Sequence, residues 1–423
     1  MSNSKPLRIL FWCPHVNLGG GARLLARLLA AVAAQPGIEL VRCAAWKEGL
    51  GRLETLLAPQ ENLERFVIRS SLAHAWWHQS GRWFGIRGTG LIRRLLRRLA
   101  QRRTGAQLEA QFPRAVADCD LVYVFWPHHQ GVPATAKPLV CTIHDTTLLR
   151  FPEISGGVWA HAEWRSIQQW IRRADRIVVP SRAMAAELEG AFGPIPRLTM
   201  IPQAICPGPG PSGSPAFERE RLGLERYALY PANTTAHKNH ANLLIAWSRL
   251  AQRRECPLLL CGEGTEALRS RPPQWPAAWQ PARLCGIIAR YGLESGADFH
   301  ALGYVADPEV ADLIAHATLL VMPSLAEGGG SYPVEEALAA GVPVACSDLP
   351  VMREHVGARS DAVVWFEPES PSSIVAAIER LFAQYDAYKR AALAASRSPR
   401  PSWDEIGARY AQVFRQTLEP RRS

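Results

Sequence analysis

Short apolar runs alternate with segments of helical periodicity along most of this chain of 423 residues. Apolar runs of this kind between helices are typical of strands that are buried on both faces of a parallel sheet. Ser181 and Ser402 stand where two of the helical segments begin, and we expect both to act as N-caps. The alternation predicts an α/β fold with doubly wound parallel sheets.

A stretch rich in proline, glycine and serine at 207–215 divides the alternating pattern into two series of similar size. This composition predicts a linker or an exposed loop. The predicted organisation is a first domain, a linker, a second domain and a final helix, over residues 1–205, 206–226, 227–401 and 402–418.

The composition excludes several classes of protein. No run of eighteen apolar residues is present, so no membrane-spanning helix is predicted. Residues 1–15 lack the apolar core and cleavage site of a signal peptide. The nine cysteines form no C-x-x-C pair, which argues against a disulfide framework or a zinc site. We therefore expect a cytoplasmic, reduced protein.

The net charge of +10 comes from one segment, because residues 65–108 contain ten arginines and no Asp, Glu or Lys. Such a patch favours nucleic acid, anionic lipid or a phosphorylated substrate. No recognised nucleic-acid module accompanies it, so no nucleic-acid partner is predicted.

Part of this basic segment fits an amphipathic helix from Leu91 onward, with leucines on one side and arginines on the other. Aromatic residues suited to a membrane interface precede it, namely Trp76, Trp77, Trp83 and Phe84. An ordinary surface helix packed on the first domain needs the same leucine stripe. We favour an anionic membrane surface bound through 76–103, because solvated helix faces normally mix both signs of charge.

Candidate binding residues follow the predicted strands, where open α/β sheets bind ligands. Gly20 and Gly21 open the first helix, where backbone amides can approach a phosphate or simply form a tight turn. The glycine spacing is not that of a dinucleotide fingerprint, and no acid follows the second strand. His144, beside Asp145, is a functional candidate, and Lys238 offers a point charge to a phosphate or is a solvated loop lysine.

The stretch "EGGGSYPVEEALAAGVPV" places a glycine turn before a helix that begins near Pro333 and can end at Gly341. Amides at such a helix start attract anions, whereas carboxylates accept hydrogen bonds from hydroxyls. The acids alternatively only favour the helix start. The candidate ligands in this stretch are Glu327, Gly328, Gly329, Gly330, Glu335 and Glu336.

These residues resemble the retaining glycosyltransferases of the GT-B fold, glycosyltransferase family four, of the bacterial surface-polysaccharide type. The resemblance is carried by "IHDTTLLRFPE", "YPANTTAHKNHANLL", "LGYVADPEVADLIAHATLLVMPSLAEGGG" and "PVEEALAAGVPVACSD". It is looser from about 42 to 117. The family implies two Rossmann-like domains facing a central cleft, a nucleotide-sugar held mostly by the second domain, and a last helix that crosses back to the first.

By this resemblance, Lys238 falls on a phosphate-binding lysine, His144 on a histidine that approaches the transferred sugar, and Glu327 on an acid near the sugar hydroxyls. Asn233 stands where the family often has an arginine, so one positive charge on the diphosphate is missing. Arg182, Arg283 or a helix N-terminus are candidate replacements.

The family's motif has a second glutamate after the one at Glu327, and two residues of this chain can take its place. The usual spacing of seven residues after Glu327 selects Glu335, whereas the pattern "PVEEALAAGVPV" aligns with Glu336 as its acid. We favour Glu336 on the ribose, because a glycine turn absorbs an insertion more easily than a helix start. The amides of Gly328, Gly329 and Gly330 would then face the phosphates.

The resemblance implies transfer of a sugar, with mannose as the first guess, from a nucleoside-diphosphate sugar to an acceptor hydroxyl with retained configuration. A lipid-linked glycan at the inner face of the membrane is the expected acceptor, and neither a metal nor another cofactor is expected. One alternative is a GT-B epimerase or phosphorylase, although no pyridoxal-binding lysine motif is present. The other is a non-catalytic protein that binds nucleotides or polyanions.

Overall fold

The computed structural model describes residues 5–14, 16, 20–69, 104–128, 131–152, 158–204, 222–269 and 279–419. Within these residues, the strands form one seven-stranded and one six-stranded sheet, and the paired strands in both are parallel. The predicted α/β architecture with doubly wound sheets is confirmed.

The first sheet has the strand order β3-β2-β1-β4-β5-β6-β7, so the order reverses between β1 and β4. Its strands are β1 (Leu7–Trp12), β2 (Ile38–Trp46), β3 (Leu63–Ile68), β4 (Leu121–Val124), β5 (Leu139–Thr142), β6 (Arg176–Val179) and β7 (Leu198–Met200). The helices described in this half are α1 (Gly20–Ala33), α2 (Lys47–Glu54), α3 (104–116), α4 (Thr147–Arg150), α5 (Val158–Arg173) and α6 (Arg182–Phe192).

The second sheet has the order β10-β9-β8-β11-β12-β13 and reverses between β8 and β11. Its strands are β8 (Ala228–Pro231), β9 (Leu258–Cys261), β10 (Phe299–Gly303), β11 (Leu319–Met322), β12 (Val344–Ser347) and β13 (Val363–Phe366). The α-helices that follow β8 are α7 (His240–Trp247), α8 (Trp279–Tyr291), α9 (Asp307–His316), α10 (Tyr332–Ala339), α11 (Pro350–Val356), α12 (Pro371–Ala383), α13 (Tyr385–Ser396) and α14 (Trp403–Leu418).

The predicted helix signals are confirmed. The Ser181 hydroxyl accepts a hydrogen bond from the amide of Met184 at the start of α6. Ser402 and Glu405 cap α14 reciprocally, which satisfies two amides that no helical carbonyl reaches. Pro333 lies in the first turn of α10, and Gly341 follows that helix with a φ of 68°.

The final helix α14 packs on the first sheet, although it follows the helices of the second half. Tyr410 and Phe414 lie against Tyr123 of β4, with ring centroids 5.6 and 5.4 Å away. The Tyr410 hydroxyl also lies 3.2 Å from Thr142 Oγ1 of β5. The chain therefore returns to the first domain at its end, and the core of that domain includes α14.

Two sequence predictions fall largely outside the described residues. The predicted membrane-binding segment 76–103 lies wholly outside them, and of the predicted linker 206–226 only residues 222–226 are described. At the start of the basic segment, Arg65 forms an ion pair with Glu54 at 2.6 Å. Among the helices that the structure describes, none combines the length and the hydropathy needed to cross a bilayer.

Candidate functional site

The switch point of the second sheet brings together two of the predicted site residues. Lys238 ends the short 3-10 turn Ala236–Lys238 after β8, and Glu327 follows β11, the neighbouring strand. The carboxyl ends of these strands meet at one edge, and Lys238 Nζ lies 2.6 Å from Glu327 Oε1. Both side chains are mostly buried, with 19% and 11% exposed. The ion pair therefore lies where doubly wound sheets bind ligands.

Asn239 holds the Lys238 turn in place. It adopts a left-handed conformation with φ 58°, which asparagine tolerates better than most side chains. Its Nδ2 donates to the carbonyls of Pro323, at 2.9 Å, and Pro368, at 2.7 Å. The sequence analysis missed this anchor, although an asparagine directly after the candidate lysine at a strand end was a usable signal.

His144 lies at the carboxyl end of β5 in the first sheet and is buried. Its ring stacks on Trp126 with centroids 5.0 Å apart, and its Nδ1 lies 3.2 Å from the Gln203 amide nitrogen. Burial lowers the pKa of His144 to about 3, and the nearby charge of His128 acts in the same direction. The imidazole is therefore neutral at neutral pH and offers hydrogen bonds rather than charge.

A buried pair of ionisable side chains stands beside this neutral histidine. His128, after β4, contacts the carboxylate of Glu163 through Nδ1. Burial lowers the pKa of His128, but the hydrogen bond with Glu163 and the charge of Asp145 outweigh it, so the pKa is raised. The sequence analysis missed His128 and Glu163; a histidine at the end of the strand beside β5 was the available signal.

The glycine turn passes directly against the first domain. A Cβ at Gly328 would overlap the carbonyl oxygen of His144, and the Gly328 carbonyl accepts a hydrogen bond from Ser181 Oγ at 3.3 Å. Gly330 has a φ of 113°, and a Cβ there would overlap the ring of His355. Only glycine fits this close approach without displacing neighbouring atoms. The turn next to Glu327 is thus in contact with the backbone of His144.

The two candidate ribose acids have different partners. Glu335 accepts hydrogen bonds from Arg359 at 2.5 and 2.6 Å and from Arg400 at 3.0 Å, and His355 Nε2 lies 3.1 Å away. Burial raises the pKa of Glu335, but the hydrogen bonds of His355 and Arg359 outweigh it and bring the pKa to about 2. This ion-pair cluster borders a cleft of about 240 Å³ between the domains.

Glu336, one residue later on α10, faces the first domain. Its Oε1 lies 2.8 Å from Arg23 Nη2, which belongs to α1. Arg23 also lies over the ring of Tyr332 at 5.3 Å and 3.9 Å from Asp307. The sequence analysis did not identify Arg23 as a site residue, and its only local signal is its position just after Gly20 and Gly21 at the start of α1.

The remaining predicted residues do not add a cation beside Lys238. Asn233 is exposed, and its Oδ1 accepts hydrogen bonds from the amide and hydroxyl of Thr235 at 3.2 and 2.6 Å. The Arg182 side chain is 82% exposed and lies 3.5 Å from Glu354. Arg283 is exposed on α8. Gly20 and Gly21 form the first turn of α1, and the residue before them lies outside the described ranges.

The ranges that the structure describes contain no group of three His, Cys, Asp or Glu side chains arranged to hold a metal ion. The eight cysteines within them are free and buried. Burial raises the pKa of Cys43 to about 12, which keeps that thiol protonated.

Two family models match the chain in succession. Residues 18–207 match a model described as Glycosyltransferase Family 4, and residues 216–397 match one described as Glycosyl transferases group 1. The chain is 27% identical over 263 residues to O-antigen chain mannosyltransferase B of Escherichia coli. That match covers 60% of this chain and 64% of the relative, so the chain spans less than two thirds of the relative's length.

Solved structures share the fold over nearly the whole chain. Sucrose-phosphate synthase of Thermosynechococcus elongatus matches with a TM-score of 0.66 and 17% identity, covering 98% of this chain and 99% of that one. Anabaena HepE, solved with UDP and glucose, matches with a TM-score of 0.65 and 16% identity, covering 97% and 100%. The predicted GT-B fold is confirmed, and the two halves of the chain each match a glycosyltransferase family model.

Proposed function

We propose that this protein transfers a sugar from a nucleoside-diphosphate sugar to an acceptor hydroxyl, with retained configuration. The observation that carries the proposal is the ion pair of Lys238 and Glu327 at the switch point of the second sheet, beside a glycine turn that touches His144 of the first. One cleft thereby holds a cation for phosphate and an acceptor for hydroxyls.

Lys238 stabilises the charge that grows on the leaving diphosphate as the glycosidic bond breaks. A fixed positive charge acts most strongly in such a partly buried site, because little water screens it. Glu327 Oε1 lies 2.6 Å from Lys238 Nζ, and phosphate oxygens of the donor are proposed to take over this contact when the donor binds. Glu327 then accepts hydrogen bonds from hydroxyls of the transferred sugar, and the neutral His144 ring hydrogen-bonds to the same sugar.

Glu336 is the proposed acceptor for the ribose hydroxyls. Glu335 is already enclosed by Arg359, Arg400 and His355, whereas Glu336 contacts Arg23 of the first domain. The amides of Gly328, Gly329 and Gly330 are the proposed partners of the phosphates. The UDP in the HepE structure supports a nucleotide as the donor's leaving group.

Mannose is the proposed sugar and a lipid-linked glycan the proposed acceptor. The name of the Escherichia coli relative, an O-antigen chain mannosyltransferase, supports mannose and a glycan acceptor. The ten arginines of 65–108 support peripheral binding to an anionic cytoplasmic membrane face, where such an acceptor is presented to the cleft. Retention is proposed to follow from attack on the same face of the sugar, assisted by the leaving phosphate.

The test is a screen of GDP-, UDP-, ADP- and dTDP-sugars by thermal shift, followed by turnover with lipid-linked acceptors. A donor at 100 times its dissociation constant adds about 2.7 kcal/mol to the free energy of unfolding. GDP-mannose is expected to give the largest shift and to be consumed, even in EDTA, and NMR of the product is expected to show the donor's anomeric configuration.

Other outcomes favour the alternatives. Conversion of the donor without an acceptor indicates an epimerase, whereas binding without turnover indicates a non-catalytic protein. Loss of turnover in EDTA contradicts the proposal that Lys238 and the amides stabilise the leaving group without a metal.

A further inference from the structure

The start of helix α6 in the first domain is capped by an acid of the second domain. Glu354 of α11 accepts hydrogen bonds from the backbone amide of Arg182 at 2.9 Å and from that of Ala183 at 3.0 Å, one through each carboxylate oxygen. Ser181 Oγ accepts the hydrogen bond of the next amide, that of Met184. The first three amides of α6 thus all have acceptors, and two of these are supplied by the other domain.

The backbone amides, and not the arginine side chain, carry this attachment. A carboxylate at a helix N-terminus is stabilised by charge-assisted hydrogen bonds and by the helix dipole. The Glu354 side chain is 22% exposed, and Ala183 packs against the hydrophobic core of the second domain. The Arg182 side chain is 82% exposed, so its ion pair with Glu354 at 3.5 Å contributes little.

The glycine turn of the candidate donor site docks on the same part of the first domain. Ser181 Oγ donates to the carbonyl of Gly328 at 3.3 Å, and a Cβ at Gly329 would overlap the side chain of Pro180. Ser181, Gly329 and Glu354 all line the cleft of about 240 Å³ between the domains. The glycine turn and Glu354 therefore lie side by side on the start of α6.

We propose that Glu354 is a positioning residue, which fixes the second domain on the first so that Lys238 and the glycine turn are correctly placed opposite His144. The inference rests on the proposed function, in which groups of both domains act on one sugar. Transfer depends on this alignment, because a displacement of about 1 Å can lower a rate about a hundredfold. The proposed ligands of the nucleotide all belong to the second domain, and Glu354 is not one of them. Its loss is therefore expected to lower kcat and to leave the affinity for the nucleotide unchanged.

Variants on both sides of the contact separate the cap from the side-chain charge. Glu354→Ala removes both acceptor oxygens, whereas Glu354→Gln keeps one. Arg182→Pro removes the amide that donates to Glu354, at the first helical position, where proline fits, and after Ser181, which is already extended with a ψ of 159°. Arg182→Ala removes the same side chain and keeps the amide. Glu379→Ala replaces an exposed acid on α12 and is the control.

Three measurements report the cap, the nucleotide affinity and the reaction separately. Hydrogen exchange at the start of α6 is expected to be faster in Glu354→Ala than in wild type, because the amides lose their acceptors. Calorimetry with GDP and with UDP is expected to give the wild-type affinity in every variant. Steady-state kinetics uses GDP-mannose, or the sugar nucleotide that wild type consumes in its place, with a lipid-linked acceptor.

The kinetics are expected to follow the number of hydrogen bonds that remain in the cap. Glu354→Ala is expected to lower kcat about tenfold or more, as for a small misalignment of the reacting groups. Glu354→Gln is expected to lie between wild type and Glu354→Ala. Arg182→Pro is expected to have a lower kcat than Arg182→Ala, and Glu379→Ala to match wild type.

The outcomes distinguish this proposal from the proposed function. Folded Glu354→Ala with a wild-type kcat overturns the role of Glu354, because the cap then only adds stability. The role is also wrong if Arg182→Ala and Arg182→Pro have the same kcat, if nucleotide affinity falls as much as kcat, or if amide exchange in Glu354→Ala is unchanged. Wild-type protein that binds neither GDP nor UDP contradicts the proposed function itself, whereas the exchange experiment still decides whether Glu354 caps α6.

Discussion

Glu335 and Glu336 are adjacent on helix α10, but their carboxylates bind arginines of different regions. Glu335 accepts hydrogen bonds from Arg359 of the second domain, and Glu336 accepts one from Arg23 of the first. Successive residues of an α-helix point about 100° apart, because one turn takes 3.6 residues. One acid therefore meets arginines of the second half of the chain, and the other meets an arginine of the first domain.

Replacing each acid by glutamine tests which one binds the ribose. Glu336→Gln is expected to weaken binding of the nucleoside diphosphate by roughly 1.5–3 kcal/mol, the range for a charged hydrogen bond. Glu335→Gln is expected to leave this affinity unchanged, as is the control Glu379→Gln, an exposed acid on α12. Calorimetry with the folded variants measures this affinity. A loss of affinity in Glu335→Gln alone would show that Glu335, and not Glu336, binds the ribose.

The Glu335 cluster predicts sensitivity to acid. The folded-state pKa of about 2 lies below the ordinary 4.5, so the stabilisation is complete above pH 4.5 and is lost as the pH falls towards 2. A shift of this size corresponds to about 3 kcal/mol. Urea unfolding is expected to show Glu335→Gln less stable than wild type at pH 6, with the difference shrinking between pH 4.5 and 3. A difference that does not change with pH would show that the carboxylate charge is not responsible.

Lys238→Ala is expected to raise the activation free energy of turnover by about 3 kcal/mol, as the loss of other single electrostatic donors does. The charge that Lys238 offsets develops in the transition state, so the loss is expected in kcat rather than in KM. Steady-state kinetics measures it, with circular dichroism to verify folding. Lys137→Ala removes an exposed lysine and provides the control. Near-normal kcat in folded Lys238→Ala would remove this residue from the mechanism.

His144 is expected to stay neutral well into the acid range. Its folded-state pKa of about 3 lies below the ordinary 6.5, so the native state resists protonation, and the stability that this residue contributes is lost as the pH falls from 6.5 towards 3. NMR of the imidazole is expected to show no protonation between pH 8 and 5, with His144→Asn to assign the signal. Titration near pH 6.5 would show that the ring is solvated and not enclosed beside Trp126.

Flotation with liposomes tests the basic segment. Wild-type protein is expected to bind anionic but not neutral vesicles, and to dissociate as salt is added, because each arginine near an anionic leaflet contributes about 1 kcal/mol. Replacement by glutamine is expected to abolish binding to anionic vesicles when it is made at Arg93, Arg94, Arg97 and Arg98 together. The control carries the same charge change at exposed positions elsewhere, namely Arg172, Arg173, Arg397 and Arg409. Wild-type protein that stays unbound at low salt would contradict the membrane proposal.

The sequence alone determined the elements and the strand ends at which candidate ligands lie. Buried strands reveal themselves as apolar runs, and caps such as Ser181 depend only on residues within one turn. Lys238 and Glu327 follow separate strands, and a doubly wound order brings such strand ends together. For this reason their proximity followed from the fold class.

Only the tertiary structure decided which charges meet. Arg23 and Glu336 are 313 residues apart, and Arg400 reaches Glu335 over 65 residues. The motif left the register of the two acids open, because a shift of one residue rotates a helical side chain by about 100° and only packing sets which direction faces the cleft. The partner of a buried charge is thus a property of the packed domains, since a charge buried without one is too costly to persist.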